Sequence, residues 1–347
     1  MSTALKETLQ RLVEAVGVSG DERAVRKLIL EAIKDHVEQV VIDPMGNVTA
    51  VRKGSGPSAL RVMITAHMDE PGFMVTEVGE NGMLHVAGVG THDPRFAVAQ
   101  RVLVGPERTP GAFLWAPIHF SHGRNEIVNI DDMQIDIGAE GKNGVKIKPG
   151  DRAAFMGAFA ELGQGIIRAK ALDSRAGCAA LIALLEGDPF PFDVHVAFTA
   201  QETVGGRGAM VAAHRINPDA AFVLRGTECN DLPTEPDADR APVVRLGAGP
   251  ALTVIDPGLI ADRRLTAHLQ ATARQHNIPY QVDAQNTARS EGGPLSLARE
   301  GTPTAVIAYP VRYLRSPNGL LNLNDLEDTV RLLRESLSAL ALELLER

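Results

Sequence analysis

Apolar residues at Leu5, Leu9, Leu12 and Val16 recur at the spacing that lines one face of a helix, and Gly17 and Gly20 end the run. Ser19 followed by Glu22 fits a capping box, so a second helix is predicted to open there, with Val25, Leu28, Ile29 and Ile33 as its apolar face. Short runs at residues 39–42 and 47–52 read as strands joined by a turn. Residues 60–65 are continuously apolar, as expected of a strand covered on both faces. After Glu70 the texture changes. Between residues 71 and 161 short runs at 73–78, 83–89, 101–104, 111–116 and 151–155 are broken by Gly and Pro, which predicts a small β-barrel or sandwich. Helical period returns at 174–186, followed by a strand at 194–199, a helix near 208–215 and a strand at 220–224. A long helix near 257–276, strands at 280–282 and 304–308, and a C-terminal helix over 324–345 complete the pattern. Alternating strands and helices imply an α/β fold, a mostly parallel sheet with helices on both faces. The expected organisation is a catalytic α/β domain of residues 1–70 and 162–347, interrupted by an inserted all-β, barrel-like oligomerisation domain of residues 71–161.

Composition narrows the function classes. The chain has 347 residues, a net charge of −8 and only 4% aromatic residues, which argues against nucleic-acid binding, where basic stripes and stacking platforms are needed. Cys178 and Cys229 are too few for a disulfide framework or a four-thiolate zinc site. The longest apolar stretch, near residues 176–185, falls short of the roughly 18 residues of a membrane span. The N-terminus has mixed charges and no apolar signal core, so a cytoplasmic protein with no membrane partner is expected.

Three strand or helix ends carry candidate chemistry. His67 and Asp69 follow the buried strand at 60–65, at the sheet edge where ligands collect in open α/β folds. A His beside an Asp suits a metal ligand whose ring is oriented by the carboxylate, or simply a hydrogen-bonded strand end. Asp173 precedes an apolar helix and suits either an N-cap or a ligand. Glu202, after the strand at 194–199, suits a general base or a loop carboxylate. The glycines at 205, 206 and 208 form a tight turn and do not match a phosphate loop. Among the other histidines, His195 reads as a satisfied core residue; His119 and His122, like Trp115, fall in the β insertion.

The segments HMDEPGFMV (67–75), IDIGA (135–139), PGD (149–151), ALDSRAGCA (171–179), QETVGGRGA (201–209) and REGTPTAVIAYPVRYLRSP (299–317) together resemble the tetrahedral metallo-aminopeptidase family, which includes deblocking and glutamyl aminopeptidases and cellulase-M-like proteins. The similarity runs in order along nearly the whole chain. It implies a dinuclear-zinc-exopeptidase-like fold, an inserted dimerisation domain, and a large, hollow homo-oligomer built from dimers. The resemblance further implies two divalent metals and five ligands. His67 and the bridging Asp173 are present, Glu202 matches the general base, and Asp69 would orient His67. Thr203, Arg225 and Arg315 stand where the family has ligands. The pattern therefore implies a degenerate second site and one divalent transition metal per subunit (Mn, Zn, Fe or Co), held by His67, Asp173 and Glu228. Arg225, Thr227, Arg289 and Arg315 are the expected substrate-binding residues, since a guanidinium fork binds carboxylate or nitro oxygens bidentately. One branch of the family then suggests the main expectation: a mononuclear aminohydrolase replacing the amino group of a small anionic aromatic substrate by water, of the 5-nitroanthranilate to 5-nitrosalicylate plus ammonia type. The alternatives are a metallo-aminopeptidase and a non-catalytic oligomeric binding protein.

Overall fold

The computed structural model describes residues 2–56, 58–114, 128–232, 244–285 and 288–346. Its main element is an eleven-stranded mixed sheet. The centre is parallel, with Phe192–Thr199, Ser58–His67, Ala220–Glu228 and Thr304–Arg312 side by side. Antiparallel strands Val48–Arg52 and Glu38–Ile42 extend one flank. Gly319–Asn322, Ile166–Ala169 and Ala160–Leu162 extend the other.

The continuous apolar runs have a direct cause. In Ser58–His67, Val62 and Ile64 face one core, which holds Leu5, Leu9 and Leu12 of the helix Ser2–Glu14 and Ala176, Ala180 and Leu184 of the helix Leu172–Glu186. Met63 faces the opposite core, against Ala209, Ala212 and Ala213 of the helix Arg207–Ile216. Both faces are covered, so neither set of alternating positions can be polar.

The insertion forms a closed barrel of Gly72–Val78, Leu84–Val89, Gln134–Asp136, Thr109–Phe113, Arg101–Val104 and Arg152–Phe155. Closure leaves no free strand edge, and Phe73 packs edge-on against Phe113 and Phe155 inside it. Ala160–Leu162, which spans the expected end of the insertion at residue 161, pairs with Ile166–Ala169 of the main sheet. Trp115, His119 and His122 lie outside the described residues. Among the described residues no helix is long and apolar enough to cross a membrane.

Three expected features differ. The second helix begins at Arg23 without a side-chain cap; Ser19 bonds to Asp69 and Thr203 across the fold, and Glu22 accepts from the Gly20 and Gln201 amides. The helix expected from residue 257 starts at Arg263, because Pro257-Gly258 turns a hairpin of Ile255–Asp256 and Leu259–Ile260 and Asp262 caps the helix through the Arg264 and Leu265 amides. The C-terminal helix, Leu323–Ser338, stops short and gives way to a 3-10 turn at Leu342–Leu345.

A single buried amide ties the β-hairpin flank to the loop carrying Glu202. Asn47 donates to Asp43 (2.7 Å) and to the Gly208 carbonyl (3.0 Å) and accepts from the Ala200 amide (2.8 Å). Asn47→Ala leaves these partners unpaired in the interior and is expected to destabilise the fold by about 2 kcal/mol or more, read as a lower midpoint in urea unfolding; an unchanged midpoint would show that the loop is held by other contacts.

Candidate active site at the carboxyl edge of the sheet

The parallel strands all point the same way, so their carboxyl ends deliver side chains to one edge. His67 is the last residue of its strand, Glu202 follows Phe192–Thr199, Arg225, Thr227 and Glu228 end Ala220–Glu228, and Arg315 follows Thr304–Arg312. Asp173 enters from the first turn of Leu172–Glu186. It is not the N-cap: Ala171 occupies that position in a left-handed conformation (φ 54°) and no side chain caps the helix.

Asp69 is the knot of the site. Fully buried, it accepts from the backbone amides of Glu202 (2.9 Å) and Thr203 (3.0 Å) and from the Ser19 hydroxyl, which also contacts Thr203 Oγ1 at 2.5 Å. His67 Nδ1 lies 3.5 Å from Asp69 Oδ1 and 3.9 Å from Glu202 Oε2. Burial alone would raise the Asp69 carboxyl, but His67, Ser19 and the Thr203 amide hold it down at about 2. Burial likewise opposes charge on His67, yet Glu202, Asp69 and Asp173 raise it to about 10. Burial pushes the Glu202 carboxyl up, with the His67 charge opposing and Asp173 reinforcing. A carboxylate raised in this way is a better proton acceptor than one in water.

Asp173 is held by its backbone, and one oxygen of its carboxylate is left without a hydrogen-bond partner. Its carbonyl accepts from the buried Tyr309 hydroxyl at 2.6 Å, and that hydroxyl in turn accepts from the Gly177 amide at 2.7 Å. Gly226 passes so close that a Cβ there would stand 3.0 Å from Asp173 Cα. The carboxylate Oδ1 is buried without a hydrogen-bond partner, and Oδ2 lies 3.6 Å from Arg315 Nε.

The structure separates the expected substrate and metal residues. Glu202, Thr203, Arg289 and Arg315 line one cavity of about 510 Å³, whose wall includes Met210, Pro294 and Leu297 and, from the barrel, Thr91. Arg225, Thr227 and Glu228 line a separate cleft of only about 20 Å³. There the Thr227 hydroxyl donates to Asp283 at 2.8 Å, and the Arg225 guanidinium donates to backbone carbonyls. Glu228 is exposed, and burial of its carboxyl group nevertheless moves it upward, opposed by Arg315.

These residues do not fit a metal pair. Asp173 Oδ1 is free to take a ligand, but the other oxygen faces a guanidinium, and among the described residues no group of three or more His, Cys, Asp or Glu side chains comes together to hold an ion. His67, Asp173 and Glu228 are thus not gathered into the three-ligand set expected from the sequence.

Sequence reasoning missed two further groups. Glu291, fully enclosed, accepts from the Thr199 hydroxyl, leaves Oε2 unpartnered and is pushed by burial up to about 7. Glu70 accepts from Lys170 Nζ at 2.7 and 2.8 Å and from Arg175 Nη2 at 3.4 Å, a buried cluster that clamps the Ala15–Gly17 backbone beside Asp69. Charged residues inside apolar runs (Lys170 and Arg175 flank Asp173) were the signal available for the second; Glu291 had none beyond its place beside Arg289.

Known proteins share this fold. An aminopeptidase from the archaeon Desulfurococcus kamchatkensis superimposes with a TM-score of 0.93, at 32% identity, covering 99% of this chain and 96% of its own. The dodecameric PhTET1-12s superimposes with a TM-score of 0.86, at 29% identity, covering 98% of this chain and all of its own. The lysyl aminopeptidase of Pyrococcus furiosus is 29% identical over 96% of this chain and 97% of its own length. The M42 glutamyl aminopeptidase family model matches residues 46–332, and the chain belongs to that family.

Proposed function

We propose that the chain hydrolyses the amide C–N bond of a small aminoacyl substrate carrying an anionic group, with Glu202 as general base. Family membership makes it a hydrolase of carbon–nitrogen bonds. The observation that carries the finer reading is the convergence of Glu202, Arg289 and Arg315 on one cavity of about 510 Å³ with an apolar wall. The expected aromatic aminohydrolase, with its role in aromatic degradation, gives way here: the matching family and the similar proteins named above are aminopeptidases.

In this reading Glu202 takes a proton from the water that attacks the substrate carbonyl carbon. The C–N bond breaks from the tetrahedral adduct, and Glu202 returns the proton to the departing amine. Asp69 fixes the Glu202 backbone through its two amide contacts, so the base is held before substrate arrives. Arg315, which borders the same cavity as Glu202, places positive charge beside the oxyanion as it develops. Arg289 and Arg315 supply the guanidinium groups for the substrate's anion.

Aminopeptidases of this family depend on metal ions. We infer fewer than two per chain here, with His67 and Asp173 as the remaining donors; Mn, Zn, Fe and Co suit such donors alike. The likeness to a dodecamer supports a large homo-oligomer, with the inserted barrel over roughly residues 71–161 as the unit that would pair subunits.

Glu202→Gln is expected to lower hydrolysis of aminoacyl anilides at least about 100-fold while leaving the unfolding midpoint unchanged; a variant as active as the wild type would remove Glu202 from the chemistry. Asp69→Asn turns one acceptor oxygen into a donor facing an N–H or a hydroxyl. Its expected result is a lower kcat with little change in KM, together with a midpoint reduced by a few degrees; unchanged values of both would show that Asp69 does not position the base.

A further inference from the structure

The loop that carries Arg289 is anchored at almost every residue. Arg225, buried at the end of its strand, donates from Nη1 to the Arg289 carbonyl at 2.7 Å and to the Ala288 carbonyl at 3.4 Å, and from Nε to the Gly226 carbonyl at 2.9 Å. Asp256 accepts from the Ser290 hydroxyl and from its amide at 3.2 Å, and Ser290 Oγ accepts in turn from the Gly292 amide at 3.1 Å. Glu291 is plugged into the core beneath Thr199. At Gly292 an added Cβ would stand 2.5 Å from Leu259 Cδ2, so this end of the loop has no room to shift. Among residues 288–292 only the Arg289 side chain is exposed, and it borders the cavity shared with Glu202 and Arg315.

This arrangement assigns different work to two arginines that the sequence places in one class. The cleft beside Arg225 holds about 20 Å³, room for about one water molecule, and its guanidinium is already committed to carbonyls. Arg225 therefore does not meet substrate. A planar guanidinium can bridge carbonyls on two segments at once, which a lysine ammonium on a flexible stem cannot do in the same geometry.

We infer that Arg225 is a positioning residue for specificity: by holding the Ala288 and Arg289 carbonyls it aims the Arg289 side chain at a substrate carboxylate in the cavity. The inference rests on the anionic-substrate reading above. Its consequence is that selectivity for an acidic over an isosteric neutral ligand depends on a residue that touches neither.

The test uses glutamate and glutamine as probes of equal shape and unequal charge, with affinities measured by calorimetry on the intact wild type and on Arg289→Ala, Arg225→Gln and Arg225→Lys. The wild type is expected to prefer glutamate. Arg289→Ala and both Arg225 variants are expected to reduce that preference about tenfold or more; Arg225→Lys keeps the buried charge and so separates aiming from charge. Wild-type preference retained in Arg225→Lys and Arg225→Gln, but lost in Arg289→Ala, would overturn the positioning role alone. A wild type that binds the two probes equally would overturn both the inference and the anionic-substrate reading. Should Arg225→Gln fail to fold, Arg225→Lys decides. Because binding is read without turnover, an inactive wild type that still prefers glutamate would sink the hydrolytic reading and leave the inference standing.

Discussion

Four carboxylates, Asp69, Asp173, Glu202 and Glu291, crowd one edge of the sheet with little or no solvent, and the need to balance their charge governs the rest of the site. Like charges in a medium of low dielectric cannot remain together unopposed. This chain answers in three ways. His67 lies against Asp69 and Glu202, Arg315 stands against Asp173, and Asp69 is saturated by N–H and O–H donors. Glu291, with one oxygen unpartnered, is instead pushed toward its neutral form.

The same balance underlies the proposal that this chain holds fewer than two metal ions while keeping its fold. A dication bridging Asp173 and its neighbours and a guanidinium against Asp173 both neutralise the buried acid, but they differ in what they leave open. A guanidinium offers directional N–H donors to an anion and has no vacant coordination position. On that proposal Arg225, Arg315 and Thr203 turn part of a metal cradle into hydrogen-bonding structure: Thr203 joins the Ser19–Asp69 network, Arg225 braces the loop under Arg289, and Arg315 borders the cavity.

Much of the framework was legible in the sequence because it depends on period and covering. The continuous apolar run before His67 implied a strand covered on both faces, and Val62, Met63 and Ile64 show it divided between two cores. The nearness of His67 and Glu202 followed from strand ends sharing an edge, whereas Asp173 enters from the first turn of a helix. What failed was the choice of partner for individual polar side chains. Ser19 has the spacing of a helix cap, yet Asp69 and Thr203, far along the chain, are its partners. Asp173 has the look of a cap but sits two residues past the N-cap position, Ala171. Arg225 reads as a substrate ligand from its place in the motif, but carbonyls of the 288–289 loop reach it first. For Ser19 and Arg225 a long-range contact, invisible to spacing, outcompetes a local one.

On the proposed reading, protein cations occupy charge positions that a second metal ion would otherwise fill. The most direct measurement is native mass spectrometry of the chain after saturation with zinc or manganese and removal of excess ion, counting ions per subunit. The account predicts no more than one; two tightly held ions per subunit would contradict it.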